Sequence, residues 1–235
     1  GDGLILALPA QAEGELRMRI LNADGSEAEM CGNGIRCLAR YLADTDGDAP
    51  GRRWDIETLA GMIRPELMAD GQLRVDMGPP FLTSEGIPTT LMPEDGLPQG
   101  VLLLEGEQLK VAAVGMGNPH VVFAVDDVLA LPLAEIGPCI EHDPLFPDRV
   151  NAGFAQVRAR DDIRLKVFER GAGLTLACGT GACAALVALH RQGLVNREAV
   201  IEADGGKLPV RWDTEGHVHL SGPVVLEREL DLRGV

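Results

Sequence analysis

The feature that most constrains this chain is a block that occurs twice. Strand-like Leu16–Leu21, a turn-like Asn22-Ala23-Asp24-Gly25-Ser26 and Cys31-Gly32-Asn33-Gly34 lead into the helical pattern Ile35–Leu42, which should stop between Asp44 and Gly47. Strand-like Ile163–Phe168, the loop Glu169-Arg170-Gly171-Ala172-Gly173 and Cys178-Gly179-Thr180-Gly181 lead likewise into Ala182–His190, ending around Gly193. Strand, loop, Cys-Gly-x-Gly and helix repeated so far apart predict two similar halves, each built around one helix. Both helices are rich in Ala, Cys, Leu and Val, so they are expected to be buried all round.

The remaining apolar runs read as strands. They include a hairpin, Ile63–Met68 and Leu73–Met77 about Asp70-Gly71, then Val111–Val114, Val121–Val125, Phe154–Arg158, Ala199–Glu202, Leu208–Trp212, Val218–Leu220 and Val224–Glu227. Many strands and few helices predict an α+β fold of two pseudo-symmetric halves, each a strongly bent antiparallel-rich sheet or barrel around a central helix. The seam is placed at Gly78-Pro79-Pro80. Residues 1–78, with a C-terminal strand at about 224–235, form the half carrying Cys31, and residues 79–223 the half carrying Cys178. Pro88 to Gly100 reads as a surface loop.

Composition narrows the function. The 235 residues carry a formal charge of −15 and no basic stripe with interleaved aromatics, which argues against nucleic acid as a partner. No run approaches the roughly 20 apolar residues of a membrane-spanning helix. The first residues, Gly-Asp-Gly running directly into strand-like Leu4–Leu8, read as a chain short of N-terminal sequence. Five cysteines, an odd number without CxxC spacing or a histidine at ligand spacing, are expected to be free thiols and to bind no metal.

Two of those cysteines stand where chemistry is available. The first turn of a helix leaves N–H groups unpaired and carries partial positive charge, so it binds carboxylates and stabilises a thiolate. Glycines there let a ligand approach the backbone closely. One such cysteine would serve as a helix cap or as a peroxidatic or acyl-transfer nucleophile. Two, on duplicated helices, suit thiols that flank one substrate, one taking a proton from a carbon and the other returning one to its opposite face. Cys37 and Cys183 fall inside the helices and are expected in the core, and Cys139 is read as structural.

The motifs resemble those of the diaminopimelate epimerases. The first signature is Asn22–Ser26 with Met30-Cys31-Gly32-Asn33-Gly34-Ile35-Arg36-Cys37, and the second is Glu169–Gly173 with Ala177–Ala184. Between them, Met116-Gly117-Asn118-Pro119-His120 and Arg149-Val150-Asn151-Ala152-Gly153-Phe154 resemble two further blocks in the family's order. Leu174 departs from the family, many of whose members carry Glu there, and the upstream block that supplies another substrate-binding Asn has no counterpart.

The resemblance implies interconversion of LL- and meso-diaminopimelate, in lysine and peptidoglycan precursor biosynthesis, without pyridoxal phosphate, metal or other cofactor. It makes Cys31 and Cys178 the acid–base pair, with His120 supporting the proton transfers and Glu169 facing a substrate ammonium. The N–H groups of Gly32, Asn33, Gly179 and Thr180 would hold the carboxylate on the reacting carbon, and Arg170 the distal carboxylate. Asn22, Asn118 and Asn151 would hydrogen-bond the substrate's amino-acid groups. A homodimer and a cytoplasmic location are implied in the same way. The alternatives are a sister racemase acting on proline or hydroxyproline, and a non-catalytic binder of an acidic ligand.

Overall fold

A computed structural model describes residues 3–22, 25, 27–28, 31–104 and 107–225. The chain forms two compact units, Gly1–Val75 with Ser221–Val235 and Asp76–Leu220. The architecture is mixed α+β and rich in sheet, as the sequence predicts.

In the first unit, strands β1 (Gly3–Pro9) and β2 (Leu16–Asn22) form an antiparallel pair, and β3 (Glu27–Ala28) adds to β2. After helix α1 (Gly32–Asp46) come β4 (Ile56–Thr58), parallel to β2, and β5 (Gly61–Ile63), antiparallel to β4. Strand β2 alternates cleanly: Met18 and Ile20 are buried, while Arg19 faces out and grips Glu27 through two hydrogen bonds of 2.8 Å. The expected hairpin forms as β6 (Pro65–Leu67) and β7 (Leu73–Asp76), with Gly71 at φ 79° in its turn. Helix α1 ends at Gly47, whose φ of 70° lets its N–H reach the Ala43 carbonyl.

In the second unit the strands run β8 (Met92–Glu94), β9 (Leu97–Leu104), β10 (Glu107–Gly115), β11 (Pro119–Ala124), β12 (Asn151–Ala159), β13 (Asp162–Glu169), β15 (Glu198–Ala203), β16 (Gly206–Trp212) and β17 (Val218–Gly222), in that spatial order. Strand β14 (Gly173–Thr175) pairs beside β13. The steps β11 to β12 and β13 to β15 are parallel, and the other pairings in this run are antiparallel. Helix α2 (Leu133–Glu141) covers one face of the sheet and α3 (Gly179–Arg191) the other. That two-sided burial explains the unbroken apolar runs: along β10, Ala112 and Val114 join the core around α3, while Val111 and Ala113 join the core around α2.

Four expectations need correction. Pro88–Gly100 is not a plain loop but contains the β8–β9 hairpin, whose two-residue turn is Asp95-Gly96 with φ 49° and 77°. Both residues sit in the left-handed region, as Asp-Gly in a tight hairpin turn prefers. Helix α3 is buried throughout Ala182–Leu189, but α1 is amphipathic, burying Ile35, Leu38, Ala39 and Ala43 and exposing Cys37 and Tyr41. Cys37 is therefore on the solvent stripe rather than in the core, one helical turn before Tyr41. Val224 and Val225 follow Pro223 outside any strand, and residues 226–235 of the expected final strand lie outside the described residues. Helix α2 is an addition the sequence reading does not include: Pro132, Gly137 and Pro138 mask its pattern.

Candidate active site

The Cys-Gly-x-Gly part of the duplicated block folds the same way in each unit. Cys31 caps α1 from an extended backbone, φ −141° and ψ 113°, with its Sγ accepting the Gly34 N–H at 3.3 Å. Cys178 caps α3 with φ −124° and ψ 112°, and its Sγ accepts the Gly181 N–H at 3.4 Å. The first helical bonds follow, Ile35 N–H to the Cys31 carbonyl and Ala182 N–H to the Cys178 carbonyl, both 2.9 Å. The N–H groups of Gly32 and Asn33, and of Gly179 and Thr180, precede any helical acceptor and point out of the helix start. A helix start of this kind is suited to receive an anion, and each has a sulfur beside it.

The last glycine of each motif keeps the sulfur in place. A Cβ on Gly181 would lie 3.2 Å from both Cβ and Sγ of Cys178 and 3.1 Å from Val167 Cγ2. On Gly34 it would lie 3.5 Å from Cys31 Sγ and 3.2 Å from Ile5 Cδ1. In α1 the buried Arg36 donates from Nη2 to the Asn33 amide oxygen at 2.9 Å, which leaves the Asn33 amide N–H groups as the end free to meet an acceptor. Arg36 was not singled out from the sequence, where a cation in a first helical turn looks unremarkable. The Asn22 side chain lies outside the described residues.

The second unit gathers the other predicted residues at one end of its sheet. The parallel register sets His120 of β11 beside Asn151 of β12, and the antiparallel register sets Ala152 beside Phe168, just before Glu169 and Arg170. Asn151 is buried and bridges two elements: its Nδ2 donates to the Pro119 carbonyl at 2.7 Å and its Oδ1 accepts the Arg170 N–H at 3.0 Å. These two bonds place Arg170 and leave the amide its second N–H and the second lone pair of Oδ1. Arg170 is exposed, with Nη1 donating to the Asp148 carbonyl at 3.0 Å.

Charge distinguishes the groups around Cys178. Its thiol is 6% exposed, and burial, reinforced by the neighbouring Glu169 carboxylate, pushes it up to about 12. The Thr180 hydroxyl, 3.5 Å from Sγ, and the Gly181 N–H oppose that shift. Glu169 is itself held by a hydrogen bond from the Thr175 hydroxyl on β14. His120 is 1% exposed, and burial, with the Arg170 cation adding to it, lowers it to about 3. Its Nε2 lies 2.9 Å from the Asn118 amide oxygen, an acceptor, so the neutral ring carries its proton there. Among the described residues no group of three or more His, Cys, Asp or Glu is placed to hold a metal ion, and no helix is long and apolar enough to cross a membrane.

Comparison with known proteins points in one direction. The family model for diaminopimelate epimerase matches residues 1–83 and 112–227. A diaminopimelate epimerase of Prochlorococcus marinus (strain MIT 9313) is 53% identical over 224 residues, 94% of this chain and 74% of that protein. That of Synechococcus elongatus is 50% identical over 225 residues, 95% of this chain and 80% of the relative. Among solved structures, a hydroxyproline epimerase from Agrobacterium vitis is similar at TM-score 0.65 with 18% identity, over 94% of this chain and 71% of the other. A Bacillus anthracis phenazine biosynthesis protein is similar at TM-score 0.66 with 14% identity, over 94% and 81% of the two chains. At such identities these structures speak to the fold alone.

Proposed function

Since the chain belongs to the diaminopimelate epimerase family, we propose that it interconverts LL- and meso-2,6-diaminopimelate by thiol–thiolate proton transfer at one α carbon, as an isomerase of lysine biosynthesis. The observation that carries this reading is the matched pair of sulfur-capped helix starts at Cys31 and Cys178. One thiolate takes the α proton and the other thiol delivers a proton to the opposite face, so the two sulfurs exchange protonation states in each turnover. The N–H groups of Gly32, Asn33, Gly179 and Thr180 receive the carboxylate on that carbon and offset the charge that develops as the proton leaves.

Burial and Glu169 favour the protonated form of Cys178, which suits it to be the acid in one direction of the reaction. After one turnover the roles are reversed, and reaction from the other isomer resets them. Burial holds the His120 ring neutral with Nε2 on the Asn118 amide oxygen, and in this reading it supports the proton transfers from beside the site by orienting Asn118. Arg170 reads the distal carboxylate with its planar donor fork, and Glu169 meets a substrate ammonium. Assembly as a homodimer and a cytoplasmic location belong to the same reading by family resemblance.

The test is incubation with LL-diaminopimelate in D2O, for wild type, Cys31→Ser and Cys178→Ser. Deuterium enters the α carbon together with formation of the meso isomer in wild type, and each serine variant loses at least about a thousandfold in kcat, as for removal of an acid–base group. Racemisation of proline or hydroxyproline without turnover of diaminopimelate would overturn the substrate, and unchanged rates in both variants would overturn the two-thiol mechanism.

A further inference from the structure

Glu141 is a buried carboxylate that the proposed chemistry does not use. It ends α2, the helix the sequence pattern hid, and is 5% exposed. Burying a carboxylate is costly unless its charge is answered by donors. Two answer it here: Oε1 accepts the backbone N–H of Gly171 at 2.9 Å and lies 3.5 Å from Nη1 of Arg149. Gly171 directly follows Arg170, so adjacent N–H groups of one tight turn are held from two elements, Arg170 by Asn151 and Gly171 by Glu141.

The second donor leads to the same place. Arg149 adopts φ 59°, a left-handed conformation uncommon for a residue with a side chain, and it adjoins Asp148, whose carbonyl accepts the Arg170 guanidinium. The docking of α2 is equally specific: a Cβ on Gly137 would fall 2.3 Å from Phe168 Cδ2, so only glycine lets the helix lie this close to the end of β13. One helical turn later Glu141 meets the loop that begins where β13 stops.

We propose that Glu141 is a positioning residue for Arg170, fixing both the main chain of the Glu169-Arg170-Gly171 turn and the Asp148 carbonyl on which the guanidinium rests, and so setting selectivity for a substrate with a distal carboxylate. This rests on the reading of Arg170 as the group that binds that carboxylate. A glutamine at 141 keeps an acceptor for Gly171 but gives up the charge that answers Arg149, whereas an alanine gives up both.

Four measurements test it together. In Glu141→Ala, KM for diaminopimelate rises about tenfold while kcat changes less than about threefold, the loss expected for one charge-assisted contact acting on binding. In an Arg170→Ala background the same substitution changes KM less than about twofold, because residues acting through one another are not additive. Glu141→Gln, folded with a melting temperature close to wild type, shows a KM increase between the two. Amide hydrogen exchange across residues 169–172 speeds up in both Glu141 variants, a readout that needs no substrate. Unchanged exchange, or equal KM losses in the presence and absence of Arg170, overturns the proposal. Faster exchange in a protein whose wild type leaves diaminopimelate untouched sustains the clamp and removes the epimerase reading instead.

Discussion

The Oδ1 of Asn151 accepts the backbone N–H of Arg170 at 3.0 Å, while the other end of the same buried amide holds the Pro119 carbonyl. One side chain therefore ties the starts of β11 and β12 to the turn that presents Arg170. Replacing it with alanine strands a buried donor and a buried acceptor. Asn151→Ala is expected to lose roughly 2–4 kcal/mol of stability, from two groups at about 1–3 kcal/mol each with partial relaxation. Urea unfolding checks this, and a loss below about 0.5 kcal/mol would contradict the geometry.

Gly181 leaves room for the Cys178 sulfur. Gly181→Ala sets a methyl group 3.2 Å from that sulfur and 3.1 Å from Val167, so the sulfur, the helix start or Val167 must shift. Overpacking of this kind costs about 1–3 kcal/mol. We expect a lower melting temperature and a kcat reduced at least about tenfold with KM changed less, because the displaced group is the one proposed to move a proton. Steady-state kinetics beside a thermal melt decide the matter, and wild-type kcat in the alanine variant would count against it.

Glu169 raises the Cys178 thiol through its negative charge, second only to burial. Glu169→Gln removes that charge, so the thiol titrates at lower pH and more thiolate is present at a given pH. Alkylation of Cys178 by iodoacetamide, followed by peptide mass spectrometry from pH 7 to 10, should be faster in the variant at each pH. The exposed Cys37 and Cys139 serve as internal controls and keep their rates. Slower alkylation of Cys178 in the variant would reverse the assigned sign.

His120 makes stability depend on pH. Its pKa falls from 6.5 in the unfolded chain to about 3 in the fold, so between those values the unfolded state binds a proton that the folded state does not. Stability from this group is fully present above about pH 6.5 and is lost as pH falls towards 3, at up to about 1.4 kcal/mol per pH unit. Urea unfolding of wild type and His120→Gln at pH 7, 5.5 and 4.5 isolates the effect from the carboxylates that titrate in the same range. The wild type should lose stability more steeply, and parallel slopes would show that the ring is not held neutral.

The two Cys-Gly-x-Gly helix starts are local devices. A cysteine, two glycines and the apolar positions that follow determine the cap, the free N–H groups and the helix within a few residues, so they were legible in the sequence along with the strands β2, β10 to β13 and β15 to β17. The hairpin at Asp95-Gly96 was equally local, and its Asp-Gly signal was on view although the surrounding prolines disguised it. Helix α2 was not legible, because Gly137 and Pro138 contradict helix propensity and are tolerated only where Phe168 fills the space beside the glycine. Nor could the sequence say that Cys37 faces solvent while Cys183 is sealed in the core, since one helix lies between two layers of side chains and the other leaves a stripe uncovered.

By itself, then, the sequence determined which groups can do chemistry: two thiols at helix starts, an Arg-Glu pair and a set of asparagines. Tertiary structure decided what each can do. Register between β11, β12 and β13 brings His120, Asn151 and Glu169 to one sheet end, although dozens of residues separate them along the chain. Burial then holds His120 neutral and Cys178 protonated, and spends the Asn151 amide and the Glu141 carboxylate on backbone. Desolvation and hydrogen-bond partners are properties of neighbours in space, and no spacing along a chain encodes them directly.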